Sequence, residues 1–381
     1  MSEEPNRPFS NFDLKANADG KMPQTVKFAF EFPELLDAFL NIDSKANFAR
    51  DMNRKLGILA ILMVLVALLI ASTDMALGSI LPEATGILAA VLGLAGAAIM
   101  LIGFHPLSPR RTWIRNRLLT ESLRLFHFHY IAARIPDIAN ASGRADREAA
   151  YLAHRQATFD QFRARLIDLP RADLDEVVAA PDMVMLDDLV AASRSEISPD
   201  DKAAKQALID VFDVWKMLRL NWQLKYCKEK LAKVSGTRAP TAWQMEHRFS
   251  MVAWVCVFVI IALHALHLIY KYLPHIQLVG GFMLHHANLI SPWQVNQGLQ
   301  IAVVWTALIS LAVRAMESGL QPQREVERYE QYRSKINVSA VRFDRSQDFA
   351  TKLEISRGFE SQSLEEMQMF VRTHTNSHFL L

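Results

Sequence analysis

The sequence predicts an all-α membrane protein: two transmembrane helical hairpins, four spans in all, with a large helical cytoplasmic domain. Three observations carry this. Long stretches lack charge, Lys and Arg cluster on one side of those stretches, and the rest of the chain repeats its apolar residues at helical spacing. The 381 residues are 51% hydrophobic and 22% charged, near the average for a folded protein, so disorder over most of the chain is excluded. The hydrophobic residues are strongly segregated. Leu56–Thr73 is 18 residues without charge, Ala84–Phe104 is 21, Phe249–Tyr270 is 22, and Ile276–Val313 contains no Lys, Arg, Asp or Glu. About 20 apolar residues match the hydrocarbon thickness of a bilayer. The four spans fall near 56–73, 82–104, 249–270 and 296–315.

Charge sets the orientation. Lys45, Arg50, Arg54 and Lys55 precede the first span, and Arg110, Arg111, Arg115 and Arg117 follow the second. Lys233, Arg238 and Arg248 precede the third, and Arg314, Arg324, Arg328 and Arg333 lie at or after the end of the fourth. Basic flanks stay in the cytoplasm. Both termini and the region 105–248 are therefore predicted inside, with two hairpin tips outside. The polar residues ahead of the first span argue against a secretory signal peptide.

The predicted organisation is a disordered or extended segment (1–32), a first hairpin with entry and exit helices (33–135), a helical cytoplasmic domain (136–242), a second hairpin (243–316) and a helical tail (317–381). Phe28, Phe30 and Phe32 alternate as in a short strand that stops at Pro33. Pro33 opens a helix with Leu35, Leu36, Phe39 and Leu40 on one side. That helix either lies on the membrane or runs on into the first span. Ser198, Pro199, Asp200 and Asp201 form a helix start, after which Leu208, Phe212, Trp215, Trp222 and Tyr226 keep a helical period. Trp113, Leu118, Phe126 and Tyr130 do the same in the stem after the second span. These aromatic stripes are read as core between two stems. Residues 105–135 carry six Arg against one acid, 215–248 eight basic against two acidic, and 137–213 sixteen acidic against nine basic. Two basic stems suited to an anionic leaflet thus carry an acidic cap. Leu364 to Met367 with Phe370 marks a helix in the tail.

The two halves share a plan of basic approach, span, link, span and charged exit helix. This suggests either a duplicated two-span unit or two unrelated hairpins. A parallel arrangement of this kind differs from the inverted repeats of many carriers. Gly86, Ala90, Gly93 and Ala97 line one face of the second span, suited to close packing on the first span or to a subunit interface.

No catalytic constellation, phosphate loop, paired-Cys motif or zinc motif occurs, so neither an enzyme nor a cofactor is predicted. Cys227 and Cys256 imply no disulfide framework. His264 and His267 share a face of the third span. With Arg314 they are candidates to line a pore, since ionisable residues in spans tend to face the bundle interior or a water path. Hydrogen bonding within the bundle is the alternative for His264. His275, His285 and His286 make at most a weak metal set, and no metal is assigned. Arg110, Arg111, Arg115 and Arg117, with Trp113 and Glu121, form a candidate phosphate site. Its ligand would be a lipid headgroup or a soluble phosphorylated messenger. Glu121 lies four residues after Arg117 and can pair with it.

The exit helix reads Arg111-x-Trp113-x-x-x-Arg117-x-x-x-Glu121-Ser-Leu-Arg124 and continues with aromatic residues to Tyr130. It resembles the segment after the second span of the SLATT family, the SMODS- and SLOG-associating two-transmembrane effectors of bacteria. The resemblance covers 45–135 and extends to 243–345 by layout alone. It implies an inner-membrane effector of an antiphage or conflict system. Such an effector oligomerises to form a pore or disrupt the membrane when a cyclic nucleotide or a sensor protein triggers it. The second hairpin and the acidic cap depart from the simple pattern. The lipid bilayer and further copies of the chain are the expected partners, and nucleic acid is not. The alternative is a non-conducting membrane-anchored scaffold or regulatory subunit.

Overall fold

The computed structural model of the chain describes Leu14 and residues 22–77, 83–105, 108–166, 189–190, 192–193, 195–198, 200–233, 240–272, 292–375 and 379. Every regular element among them is a helix. Much of the predicted disordered or extended segment (1–32) falls outside these residues, as do part of each hairpin tip and His275, His285 and His286. The chain divides into two compact units. The first is built from 1–50, 110–243 and 323–376, and the second from 51–109, 244–322 and 377–381.

The first unit is a helical bundle. Its short α1 (Gln24–Phe30) replaces the predicted strand. Val26, Ala29 and Phe30 recur at helical spacing and are all fully buried, so packing overrides the alternation of Phe28, Phe30 and Phe32. Pro33 opens α2 (Pro33–Leu77), which runs on for 45 residues as one helix. Its first part belongs to the bundle, where Leu35 and Phe39 are buried.

The stem after the second span is α4 (Pro109–Ala133), and α5 (Ile135–Ala141) and α6 (Ala145–Leu166) follow. Phe126 of α4 stacks on Phe162 of α6 at 4.8 Å, and the ring of Phe159 lies 5.4 Å from it. The second stem begins at α7 (Lys202–Trp215), capped by the Asp201 carboxylate, which accepts from the Ala204 amide at 3.0 Å. It continues through a π-helical turn (Lys216–Asn221) into α8 (Trp222–Lys230). Leu208, Phe212 and Trp215 are buried, as a core stripe requires. Helices α11 (Pro322–Arg345) and α12 (Phe349–Thr375) complete the bundle. Trp215 meets the Phe359 ring of α12 edge-on at 5.9 Å and stacks on Phe343 of α11 at 5.7 Å.

The second unit holds the apolar runs: the rest of α2, α3 (Glu83–Phe104), α9 (Ala242–Tyr272) and α10 (Pro292–Leu320). Among the described residues, four helices are long and apolar enough to cross a bilayer. Between 6% and 22% of their most apolar windows is buried within the chain, so the chain by itself encloses little of them. Helix α3 packs closely on α2. A Cβ at Gly96 would lie 2.7 Å from Val64 Cγ2 and 2.9 Å from the Ala60 carbonyl oxygen, whereas one at Gly93 would stand 3.6 Å from Ala67 Cβ. Ile61, Ala312 and Ala315 form a small core between α2 and α10, against which Met100 of α3 and Phe379 pack. Helix α10 stops at Gln321, whose φ of 48° is the left-handed conformation of a helix C-cap, here without glycine. Its amide donates to the Glu317 carbonyl at 2.7 Å, and Pro322 starts α11.

Candidate functional site

The bundle interior contains a network of charged groups. Three stretches of chain place it there: the first part of α2, the α4 and π-turn stems, and the α11–α12 pair. On α4, spacings of four and three put Arg117, Glu121 and Arg124 on one side. Arg117 meets the Glu121 carboxylate at 2.5 Å and Asp43 of α2 at 3.5 Å. Arg124 donates to both oxygens of Glu121, at 2.8 and 2.7 Å, and lies over the Phe39 ring. Burial would raise the Glu121 pKa, but Arg117 and Arg124 more than offset this and hold it at about 2.

A second group joins α11 to α12. Arg328 forks onto Glu325 at 2.9 and 3.1 Å and pairs with Glu366. His374 Nε2 lies 2.8 Å from Glu325. Burial keeps the Glu366 carboxyl above the usual carboxylate range against the pull of Arg328, and the nearby charge of Glu121 adds to the rise. A third pair is fully enclosed. Arg219 of the π-helical turn donates to Glu360 at 2.7, 3.0 and 3.2 Å, with their side chains 3% and 0% exposed. The guanidinium lies 4.7 Å from the Phe128 ring centre and 5.6 Å from that of Phe359. The wider π turn changes the register of the stem at this point, and such turns recur at functional sites. Beside it, burial and then the charges of Arg155 and Arg219 push the His127 pKa down to about 3, so its imidazole is neutral at cellular pH. Arg155 is held by backbone carbonyls at the end of α1, donating to Ala29 at 2.9 Å and Glu31 at 3.0 Å.

The sequence-predicted phosphate cluster occupies one edge of this network. Arg110 donates to the carbonyls of His374 and Thr375 and so closes the C-terminal end of α12. Trp113 packs edge-on against Phe370 at 5.6 Å and lies 4.7 Å from His374. Arg117 and Glu121 pair as their spacing suggested. Arg111 and Arg115 are half-buried in the same helix. Arg110 and Arg117 therefore serve the bundle itself, and a phosphate would have to compete with a carbonyl or a carboxylate for them.

In the second unit, His264 is exposed and its Nδ1 donates to the Ile260 carbonyl at 2.8 Å, while His267 is half-buried. Arg314 pairs with Glu317 at 2.7 Å. Helix α3 meets α2 closely at Gly93 and Gly96, of which Gly93 is shared with the predicted small-residue face. Gly86, Ala90 and Ala97 are exposed in the single chain.

Sequence reasoning missed Arg219, Glu360, Glu325 and His374. Their sequence signals were faint. Arg219 sits within the apolar stripe between Leu218 and Leu220, and Glu325 and Arg328 are three residues apart on a predicted helix. Cys227 is a free, buried thiol. Burial, and then Glu366, push its pKa up to about 12, which keeps it a thiol at cellular pH.

Among the described residues no group of three or more His, Cys, Asp or Glu side chains is placed to hold a metal ion. The network joins α2, α4, the π-helical turn, α11 and α12 through ion pairs. No protein-family model, characterised protein sequence or solved structure matches the chain.

Proposed function

We propose that this chain is a bacterial inner-membrane effector of an antiphage or conflict system. It assembles into an oligomer and opens a conductive path when its cytoplasmic bundle is triggered by a nucleotide second messenger or a partner protein. One observation carries the reading: among the described residues, four apolar helices have only 6% to 22% of their most apolar windows buried in the single chain, which leaves apolar surface available to lipid and to other copies. The Lys and Arg distribution favours a cytoplasmic bundle and cytoplasmic termini. The resemblance of 111–130 to the SLATT exit helix supplies the effector role. The gating element is the network on α4. Its partner Asp43 sits on α2, the same continuous helix that contains the first apolar run.

Ion flux from liposomes holding the purified protein, with and without a panel of cyclic oligonucleotides, tests this. Flux that appears with one nucleotide supports a directly gated effector. Constitutive flux supports a pore held shut by a missing partner. If no added nucleotide or co-purified partner produces flux, a non-conducting scaffold replaces the effector.

A further inference from the structure

We propose that the C-terminal end of α8 and the turn after it form a docking surface for anionic phospholipid headgroups of the bilayer that α9 enters. Lys225, Lys228, Lys230 and Lys233 are all exposed there. Glu229 is the one acidic residue between 215 and 245. The Lys225 ammonium stands 5.8 Å from the Trp222 ring centre and that of Lys230 5.3 Å from the Tyr226 ring centre. An exposed ammonium held over a ring face suits a membrane interface, where aromatic and basic side chains share the headgroup layer.

Contacts within the bundle unit fix where this surface lies. The Thr241 hydroxyl donates to the Ala232 carbonyl at 2.8 Å, and the Lys233 ammonium is 5.6 Å from the Trp243 ring centre. These tie the turn after α8 to the first turn of α9, which starts at Ala242. Phe249, where the uncharged run begins, is six residues beyond Trp243 in that helix, about 9 Å at 1.5 Å per residue. The headgroup layer on each side of the hydrocarbon is roughly 5–7 Å thick. If the run from Phe249 spans the hydrocarbon, Trp243 lies just outside the headgroup layer, within an extended lysine side chain's reach of it. The arginines of α4 that the sequence offered for this task are placed differently, with Arg110 on the end of α12 and Arg117 on Glu121.

The proposal rests on α9 crossing the bilayer, and the test separates the two claims. The full chain is placed in nanodiscs of phosphatidylcholine, or of phosphatidylcholine with phosphatidylglycerol. Amide hydrogen exchange is then followed over 225–233 and, as an insertion control, over 249–270. Each lysine near an anionic surface favours contact by about fivefold, hence on the order of a hundredfold for three. Exchange over 225–233 should slow when phosphatidylglycerol is present and recover at about 1 M salt, where screening reaches ~3 Å. Lys228→Gln with Lys230→Gln and Lys233→Gln should abolish the difference, and the corresponding Arg replacements should keep it. Equal exchange in the two bilayers, or a lipid effect that survives the triple Gln variant, overturns the docking surface. Fast exchange over 249–270 in both bilayers would instead overturn the span beneath it.

Discussion

Glu360→Leu should be among the most damaging single changes in the bundle. It leaves the Arg219 guanidinium, 3% exposed, without the carboxylate it meets at 2.7 to 3.2 Å. The rings of Phe128 and Phe359 stay near that charge, but a cation–π contact contributes only about 0.5–2 kcal/mol. Breaking a buried pair from one side costs about 3–5 kcal/mol, whereas replacing both partners by apolar groups of similar volume is about neutral or stabilising. For a unit of this size, each kcal/mol moves the melting temperature by roughly 2–4 °C. Glu360→Leu should therefore lower it by roughly 6–20 °C, and Arg219→Met should do the same through the orphaned carboxylate. The double variant should recover most of the loss. The assay is thermal unfolding of the purified chain in detergent, with amide exchange in α12 reporting on this unit alone. If either single variant costs less than about 1 kcal/mol, or if the two losses simply add, the pair is not the enclosed, coupled unit described above.

The Glu121 carboxylate is held at about 2 rather than 4.5. A depressed carboxylate adds stability above its unfolded value and loses it as pH falls, so the bundle should weaken between about pH 4.5 and 2. This depression corresponds to roughly 3 kcal/mol. Glu121→Gln should flatten that acid limb in unfolding at pH 3 and 6, and an unchanged limb would show that other groups carry it. In the first hairpin, Gly96→Ala forces a methyl against Val64 and the Ala60 carbonyl and should cost about 1–3 kcal/mol. Gly93→Ala, at an ordinary 3.6 Å contact, should be tolerated. Ala90→Leu and Ala97→Leu should leave the hairpin's detergent stability unchanged; loss of assembly in crosslinking would mark that face as the subunit contact. Gly57 and Gly319 both face the Phe379 ring so closely that a Cβ at either would overlap it. Gly319→Ala should therefore destabilise the second unit in the wild-type background and much less beside Phe379→Ala, a coupling that a double-mutant cycle measures.

What the sequence made legible follows physical range. The four apolar runs and the start of α2 at Pro33 were readable because length, charge and proline geometry act locally. The core role of Leu208, Phe212 and Trp215 was readable because a helical period points one face inward. Phe28, Phe30 and Phe32 misled for the converse reason. A three-residue alternation is weak evidence, and burial of Val26, Ala29 and Phe30 against the bundle decided for helix. Arg219 with Glu360 is separated by 141 residues, and no local pattern signals such a pairing. The π turn that carries Arg219 likewise has no sequence signature in Lys216–Asn221.

The arginine cluster shows how far a correct local pattern can take an argument. Arg117 and Glu121 were expected to pair from their spacing, and they do. The same residues were candidates for binding phosphate, and the geometry ties those two roles together. A phosphate at Arg117 would have to displace Glu121, leaving that carboxylate to Arg124 and near Glu366, a buried acid that already resists ionisation. Two carboxyls facing one fewer guanidinium favour uptake of a proton or separation of α4 from α12. Neutralising Arg117 mimics the same loss. Arg115→Gln with Arg117→Gln should therefore perturb the bundle whether or not a ligand binds there, and it tests triggering only when amide exchange in α12 is measured alongside. Unchanged exchange with lost triggering would place the ligand on these arginines. Loosened α12 with constitutive activity would show that the pair itself holds the resting state.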